Sequence, residues 1–395
     1  SLRNEQQSVV LIYFDLSKAF DKVPHRRLLV KLEALGIRPP LLDFIGSYLS
    51  NRSQKVLVGN SYSTPQPITS GVFQGTVLGP LLFILYINEI STLLTNSQNF
   101  VYADDLKCIY SFSKDTANSC VDKINTDLLM LSRWSCTWQM EFSPSKSSFM
   151  CFGPAKLPGP LVFQNSTLLE RSTIKDLGLS YTNKLALSPH ADRISAKAAQ
   201  ICGFISHNFF LPEIKLNLYR MFVLPILEYC CPLFGLMNAS DRSKIEKVQR
   251  VFTRKLFSLP GSSFSYTDRC QLANIKFLWV RRLEAGLCFL FRVNSSPNIP
   301  RINALTPVNR PYATRNSSMF ISPPLSSTTN RSQFFASKYA FIWNNLPLQI
   351  RLSSTLAIFK TKLRKHLTSK DIKSLLSVSF PNSQLLDFEK GPPGI

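Results

Sequence analysis

Acidic side chains are scarce in this sequence. Against 46 Lys and Arg stand 24 Asp and Glu, a net charge of +22 over 395 residues. A chain this basic points to an acidic polymer as partner, nucleic acid before an anionic membrane. There are nine cysteines, an odd number, and no C-x-x-C pair occurs. That supports neither a zinc site nor a disulfide framework, and buried free thiols in a reducing compartment are expected. No signal peptide or internal repeat is visible in the sequence. Nor is a convincing membrane span of ~20 apolar residues: residues 77–87 are one core helix long, and residues 222–237 are broken by Pro225, Glu228 and Pro232. The first residue is Ser1 rather than Met, as expected of a piece of something longer.

What is present is a large apolar fraction, 45%, enough for a sizeable core. The charge is unevenly spread. Residues 1–183 hold 17 basic and 14 acidic side chains, residues 184–290 hold 15 and 7, and residues 291–395 hold 14 and 3. The first region keeps its acids, and the rest reads as an electrostatic grip.

Residues 8–14 are a continuous β-branched and aromatic run that ends at Asp15, the pattern of a strand buried on both faces. Helical spacing follows over residues 16–35 and stops at Gly36, with a second helix over 39–49. Residues 100–110 are apolar on both sides of Asp104-Asp105, which predicts a β-hairpin. Residues 116–140 form an amphipathic helix. From residue 188 the pattern is helical, with Ser188-Pro189 as cap and first residue. In the helix predicted at 241–257, Ile245, Val248, Phe252 and Leu256 share one side. Lys247, Arg250 and Arg254 lie opposite. Residues 295–330, rich in Ser, Pro, Asn and Arg, read as a linker before helical character returns over 334–366. The chain frays into residues 391–394.

Two carboxylate sites stand out, Asp15 at the end of one strand and Asp104-Asp105 between two others. Strand ends in a packed sheet are rigid enough to hold side chains to fine geometry. Carboxylates from different strands can jointly bind a pair of Mg²⁺ ions for phosphoryl transfer. Taken singly, each feature is more simply a turn or a helix cap.

Taken in order, the motifs resemble the reverse transcriptase of non-LTR (LINE-like) retrotransposons, nearest the chicken-repeat and jockey-like lineages. The first catalytic motif is matched by Phe14-Asp15-Leu16-Ser17-Lys18-Ala19-Phe20-Asp21. A nucleotide- and template-handling motif is matched from Ser70 through Gln74 and Gly75 to Pro80, and the polymerase signature by Tyr102-Ala103-Asp104-Asp105. Trp138 to Phe142 followed by Lys146 resembles the fourth motif, and Lys175-Asp176-Leu177-Gly178 the primer-grip entry. Leu227-Glu228-Tyr229, Val248-Gln249-Arg250 and Trp343-Asn344-Asn345-Leu346-Pro347 also recur at family-like places.

The resemblance implies an α+β polymerase palm, an antiparallel sheet with packed helices, over residues 1–183. A helical thumb over 184–290, a linker over 291–330 and a basic helical region over 331–395 follow. It implies RNA-directed DNA polymerisation by a two-metal mechanism. The cofactor would be Mg²⁺, two ions, with Mn²⁺ as a substitute. An RNA template, a DNA primer at a nicked target and deoxynucleoside triphosphates are the implied partners, with no membrane and a nuclear site of action. Asp15 and Asp104 would be the principal metal ligands, with Asp105 in support. Lys146 would face the leaving pyrophosphate. Phe20 would wall off the sugar 2′-hydroxyl, which argues against an RNA-directed RNA polymerase. Gln74 and Gly75 would lie against nucleotide and template, and Lys247, Arg250 and Arg254 against the nucleic-acid backbone. Phe73 stands where the family usually has Pro, and Thr76 where it has Ser. The basic fingers and the endonuclease that precede this region in the family are absent from the 14 residues before Asp15. A truncated or decayed copy that folds and binds nucleic acid without catalysis is therefore the alternative reading.

Overall fold

The computed structural model describes residues 7–143, 145–257, 264–295, 306–307, 321–322 and 335–367. The chain forms two compact units, Ser1–Ile174 and Lys175–Ile395.

In chain order the first unit contains β1 (Ser8–Asp15), α1 (His25–Ala34), α2 (Leu41–Leu49), four two-residue strands, α3 (Leu78–Ile87), α4 (Ile90–Leu93), the hairpin strands β6 (Gln98–Tyr102) and β7 (Asp105–Phe112), α5 (Ala117–Trp138), β8 (Ser148–Phe152), β9 (Val162–Phe163), β10 (Ser166–Thr167) and β11 (Leu169–Glu170). The four short strands are β2 (Ser53–Gln54), β3 (Leu57–Val58), β4 (Ser61–Tyr62) and β5 (Gln66–Pro67). The main sheet has the order β11-β8-β1-β7-β6. Its pairs are antiparallel except β11 with β8. Val10, Ile12 and Phe14 of β1 and Leu106, Cys108, Tyr110 and Phe112 of β7 point into a core shared with Leu28 and Leu32 of α1, Phe83 and Tyr86 of α3, and Ile124, Leu128 and Leu131 of α5. Each such side chain, fully buried, contributes on the order of 1.5–3 kcal/mol.

Two expectations are corrected here. The strand β1 alternates buried and half-buried residues rather than being buried on both faces. The sheet is antiparallel, and such sheets commonly leave one face open. Residues 16–24 are not helical, and α1 begins at His25. The backbone there is bonded to distant segments instead: Ser17 N donates to Glu141 O, and Phe20 O accepts from Val72 N. Lys18 adopts a left-handed φ of +50°, a conformation that no helix interior tolerates.

The second unit opens on the paired strands β12 (Thr173–Asp176) and β13 (Leu179–Thr182) and is then helical: α6 (Ser188–Asn208), α7 (Pro212–Leu218), a π-helical turn (Tyr219–Val223), α8 (Leu224–Glu228), a 3₁₀ segment (Cys231–Leu236), α9 (Ala239–Leu256), α10 (Tyr266–Leu272) and α11 (Leu278–Ser295). Helices Phe335–Asn344, Leu348–Arg351 and Leu356–His366 complete it. One core gathers Ile194, Ile205, Leu227 and Ile245 around Tyr219 and Phe252, whose rings stack at 4.4 Å. Another joins Leu287, Leu290 and Phe291 of α11 to Trp343, Phe359 and Leu363.

Ser188 is not a cap: it is the first residue of α6, and its hydroxyl donates to Asp241 Oδ2 at 2.7 Å. The stretch expected as a linker contains a strand pair, Thr306–Pro307 (β14) with Ile321–Ser322 (β15). The side chain of Asn344 clasps the Ile321 backbone, accepting from its N–H at 3.0 Å and donating to its carbonyl at 2.8 Å. This gives the Trp343-Asn344-Asn345-Leu346-Pro347 motif a structural role. The fraying expected at 391–394 lies outside the described residues. Among the described residues no helix is long and apolar enough to cross a membrane.

Candidate active site

The antiparallel register sets Asp15 of β1 directly opposite Asp105 of β7. Cross-strand partners share a face, and both residues are half-buried while their neighbours Phe14 and Leu106 turn inward. The open face therefore carries the two carboxylates at the end of the strand pair. Asp104 sits one residue earlier, in the turn that follows Ala103, whose φ is +49°. The Asp15 backbone is held as well: its carbonyl accepts from Ser143 N at 2.7 Å. Lys146, 131 residues away in sequence, donates from Nζ to Asp15 Oδ2 at 3.1 Å. That ion pair is largely solvent-exposed and adds little to stability. Its value is to hold a cation at the carboxylate.

Carboxylate oxygens are the hard donors that Mg²⁺ prefers, so the donor chemistry of Asp15, Asp104 and Asp105 fits that ion. Their side chains are not closed on one point. Among the described residues no group of three or more His, Cys, Asp or Glu side chains is arranged to hold a metal. The register sets Asp15 and Asp105 as a facing pair, with Asp104 beside them in the turn. Like charges repel, and the Lys146 ammonium engages Asp15.

The nucleotide-handling loop is stitched to the segment after β1. Gly71 N donates to Val23 O at 2.8 Å, Ser70 Oγ to Asp21 O at 3.0 Å and Gln74 Nε2 to Asp21 Oδ1 at 3.1 Å. Gly71 has φ +97°, and a Cβ there would run into the Asp21 backbone, so only glycine fits. Gly75 also has a left-handed φ, +81°, but faces open space. Phe20 is half-buried, with its ring stacked on Phe83 at 4.5 Å, so it serves as a packing residue whatever else it borders. Thr76 keeps a hydroxyl at the position where the resemblance implies Ser. Its hydroxyl donates to Phe73 O at 2.7 Å and accepts from Gly79 N at 3.1 Å, at the entry to α3. Phe73 is seated edge-on to Tyr48 at 5.3 Å, with the Arg52 guanidinium 5.7 Å from its ring.

On α9, Lys247 and Arg254 are exposed. Arg250 is not part of a free cationic face: it is half-buried, with its guanidinium 4.7 Å from the Tyr266 ring. The correction has a simple cause, since α10 packs where a helical wheel shows only solvent. Other motif residues of this unit act as ties. Gln249 accepts from Tyr219 Oη at 3.0 Å and donates to Tyr266 Oη at 2.9 Å, Glu228 pairs with Arg281, and Tyr229 Oη donates to Leu177 O at 2.6 Å.

The sequence reading missed Tyr13 and Lys107. They are register partners two positions from Asp15 and Asp105 and so lie on the same open face. Period-two counting back from the carboxylates would have found them.

The profile of the reverse transcriptase (RNA-dependent DNA polymerase) family matches residues 1–182, which shows what this region is similar to. The curated relatives it resembles include polymerases of LINE-like, non-LTR retrotransposons. The chain is 28% identical over 253 residues to the probable RNA-directed DNA polymerase from transposon X-element of Drosophila melanogaster, covering 62% of this chain and 28% of that protein. It is 27% identical over 262 residues to the RNA-directed DNA polymerase from mobile element jockey of the same species, covering 63% and 28%. The chain thus spans less than a third of these relatives. The structure of apo telomerase from Candida tropicalis aligns at a TM-score of 0.36 and 13% identity, covering 65% of this chain and 42% of that one, a likeness too weak to argue from.

Proposed function

We propose that the chain is the polymerase segment of a non-LTR retrotransposon protein. In this reading it adds deoxynucleotides to a primer 3′-hydroxyl on an RNA template, with the primer provided by nicked DNA at the target, in the nucleus. The observation that carries it is the opposition of Asp15 and Asp105 on the open face, with Lys146 at the Asp15 carboxylate. Residues 1–183 act as palm, 184–290 as thumb, 291–330 as linker and 331–395 as a basic extension.

Asp15, Asp104 and Asp105 would hold two Mg²⁺ ions, which activate the attacking oxygen and stabilise the leaving one. The chain's own residues do the rest. Lys146 exchanges its pairing with Asp15 for the departing phosphate oxygens, where its charge stabilises the leaving group. Phe20, braced by Phe83, walls the sugar. Gln74, braced by Asp21, and Gly75, with open space before it, border nucleotide and template. Lys247 and Arg254 contact backbone phosphates without reading sequence.

RNA-templated primer extension by the 395-residue chain, beside its Asp15→Asn variant, tests the reading. Extension by the parent is expected, with a loss of ~10²–10³-fold in the variant and unchanged template–primer binding. Template–primer binding by the parent without any extension would instead support the non-catalytic copy.

A further inference from the structure

The second unit carries a surface that the polymerase reading leaves unused. Helix α11 and residues 335–367 together hold nine Lys and Arg and one acid, Glu284. That acid is already engaged, accepting from Lys276 Nζ at 3.1 Å and from Arg364 Nε. Apolar packing fixes the geometry. Phe291 of α11 stacks on Phe359 of the Leu356–His366 helix at 4.5 Å, and Leu363 is fully buried beneath. The next residue after each stacked ring, Arg292 and Lys360, is exposed, so two cations flank one seam. Arg364 lies one helical turn beyond Lys360. The half-buried Cys288 registers the same cluster: burial and then the Glu284 charge push its thiol up, while Lys360, Arg364 and Arg292 pull the other way. The Leu356–His366 helix itself contains no acid, and Glu284 of α11 pairs with Arg364.

We propose that the seam between α11 and the Leu356–His366 helix is a sequence-independent contact for the phosphate backbone of duplex nucleic acid, with Arg292 and Lys360 as the contacting cations. The inference rests on the nucleic-acid reading above and adds a surface outside α9. Fixed cations on a rigid two-helix seam release counterions from a polyanion without needing base contacts. The packed Phe291–Phe359 pair holds them in place before binding.

The test uses the full chain and a fluorescent duplex DNA, without nucleotides or divalent metal, titrated with salt. Arg292→Gln/Lys360→Gln should flatten the log-log salt slope by ~1–2 units, at about 0.9 per phosphate contact. Its thermal midpoint should stay at the parent value, because neither side chain is buried. Alkylation of Cys288, followed by peptide mass, should slow when duplex is added to the parent and not when it is added to the variant. An unchanged slope, or Cys288 alkylation indifferent to duplex, overturns the inference. So does a double variant that loses binding to phosphatidylserine vesicles while keeping its affinity for duplex. The polymerase reading is separable. If Asp15→Asn abolishes extension while the double variant keeps the parent slope, the seam alone is wrong. Seam-dependent binding without extension by the parent leaves the seam standing and removes the polymerase.

Discussion

In the first unit the buried cation Lys31 is fully provided for, whereas in the second unit Arg282 is not. Lys31 Nζ donates to the Tyr86 carbonyl at 2.5 Å and to Glu89 at 2.7 Å, and lies 3.8 Å from the Trp138 ring centroid. Glu89 in turn accepts from Trp134 Nε1 at 2.6 Å. Arg282, 6% exposed, faces Glu246, 1% exposed, at 3.6 Å, and among the described residues neither its Nη atoms nor Glu246 Oε2 has a hydrogen-bond partner. Burial, with Arg242 and Arg282 nearby, pushes Lys338 down to about 7. An unmade hydrogen bond on a buried ion is costly. The sheet unit uses its interior charge to brace the scaffold behind the carboxylates. The helical unit carries its surplus of cations inward and holds it at the expense of stability. The first should therefore break when its cation is removed, and the second when protons are added.

The largest effect is expected from Lys31→Ala. It removes the stem packed among the aromatic rings and leaves Glu89 short of a partner, a loss of roughly 2–4 kcal/mol. Lys31→Met, which keeps the stem, should lose about half as much. Urea midpoints of the three proteins check this, and equal losses in both variants would show that packing contributes nothing.

Next comes the pH response of the second unit. His190 is fully buried on α6, and its Nδ1 lies 3.1 Å from Arg193 Nη2. Burial first and the Arg193 charge second push its pKa down from 6.5 to about 4. The native state thus holds the neutral ring while the unfolded chain takes up a proton below 6.5. Stability is complete above pH 6.5 and falls as pH drops toward 4, by on the order of 2–3 kcal/mol. Hydrogen exchange on α6 peptides should accelerate over that window while β1 peptides hold, and His190→Gln should abolish the difference. A window that persists in His190→Gln assigns the response to another group.

The smallest effect is at the hairpin turn. Ala103 holds a left-handed φ that costs an L-residue about 1–2 kcal/mol. Ala103→Gly should raise the thermal midpoint of the first unit by a few degrees, about 1 kcal/mol. A lower midpoint would mean that the turn is not strained.

These contrasts also explain what was legible in the sequence. The strand before Asp15, the hairpin around Asp104-Asp105 and the helices α5 and α9 follow from local periodicity, which one stretch of chain records by itself. Residues 16–24 did not, because the Ser17 N–H donates to the Glu141 carbonyl and the Phe20 carbonyl accepts from the Val72 N–H, partners far along the chain that local spacing cannot show. Arg250 looked solvated because a helical wheel cannot show α10 arriving with Tyr266. The motif residues Gln249, Tyr229 and Asn344 were found by resemblance, but their roles as ties needed the partners Tyr219, Leu177 and Ile321. At the site, the motif order identified Asp15, Asp105 and Lys146. Only the register revealed that Asp105 is the one facing Asp15.

That register makes the site depend on parity. Along β1 the odd-numbered positions from Val9 to Asp15 face the open side and the even-numbered ones face the core. A single codon gained or lost within the strand would turn Asp15 toward Phe142 and Phe163 and expose Phe14, whose ring now packs against both. Two codons would restore the facing but shift the carboxylate about 7 Å along the sheet. β1 and β7 should therefore tolerate substitutions of like character and keep a fixed length, whereas the exposed strands between Ser53 and Pro67 are free to change theirs.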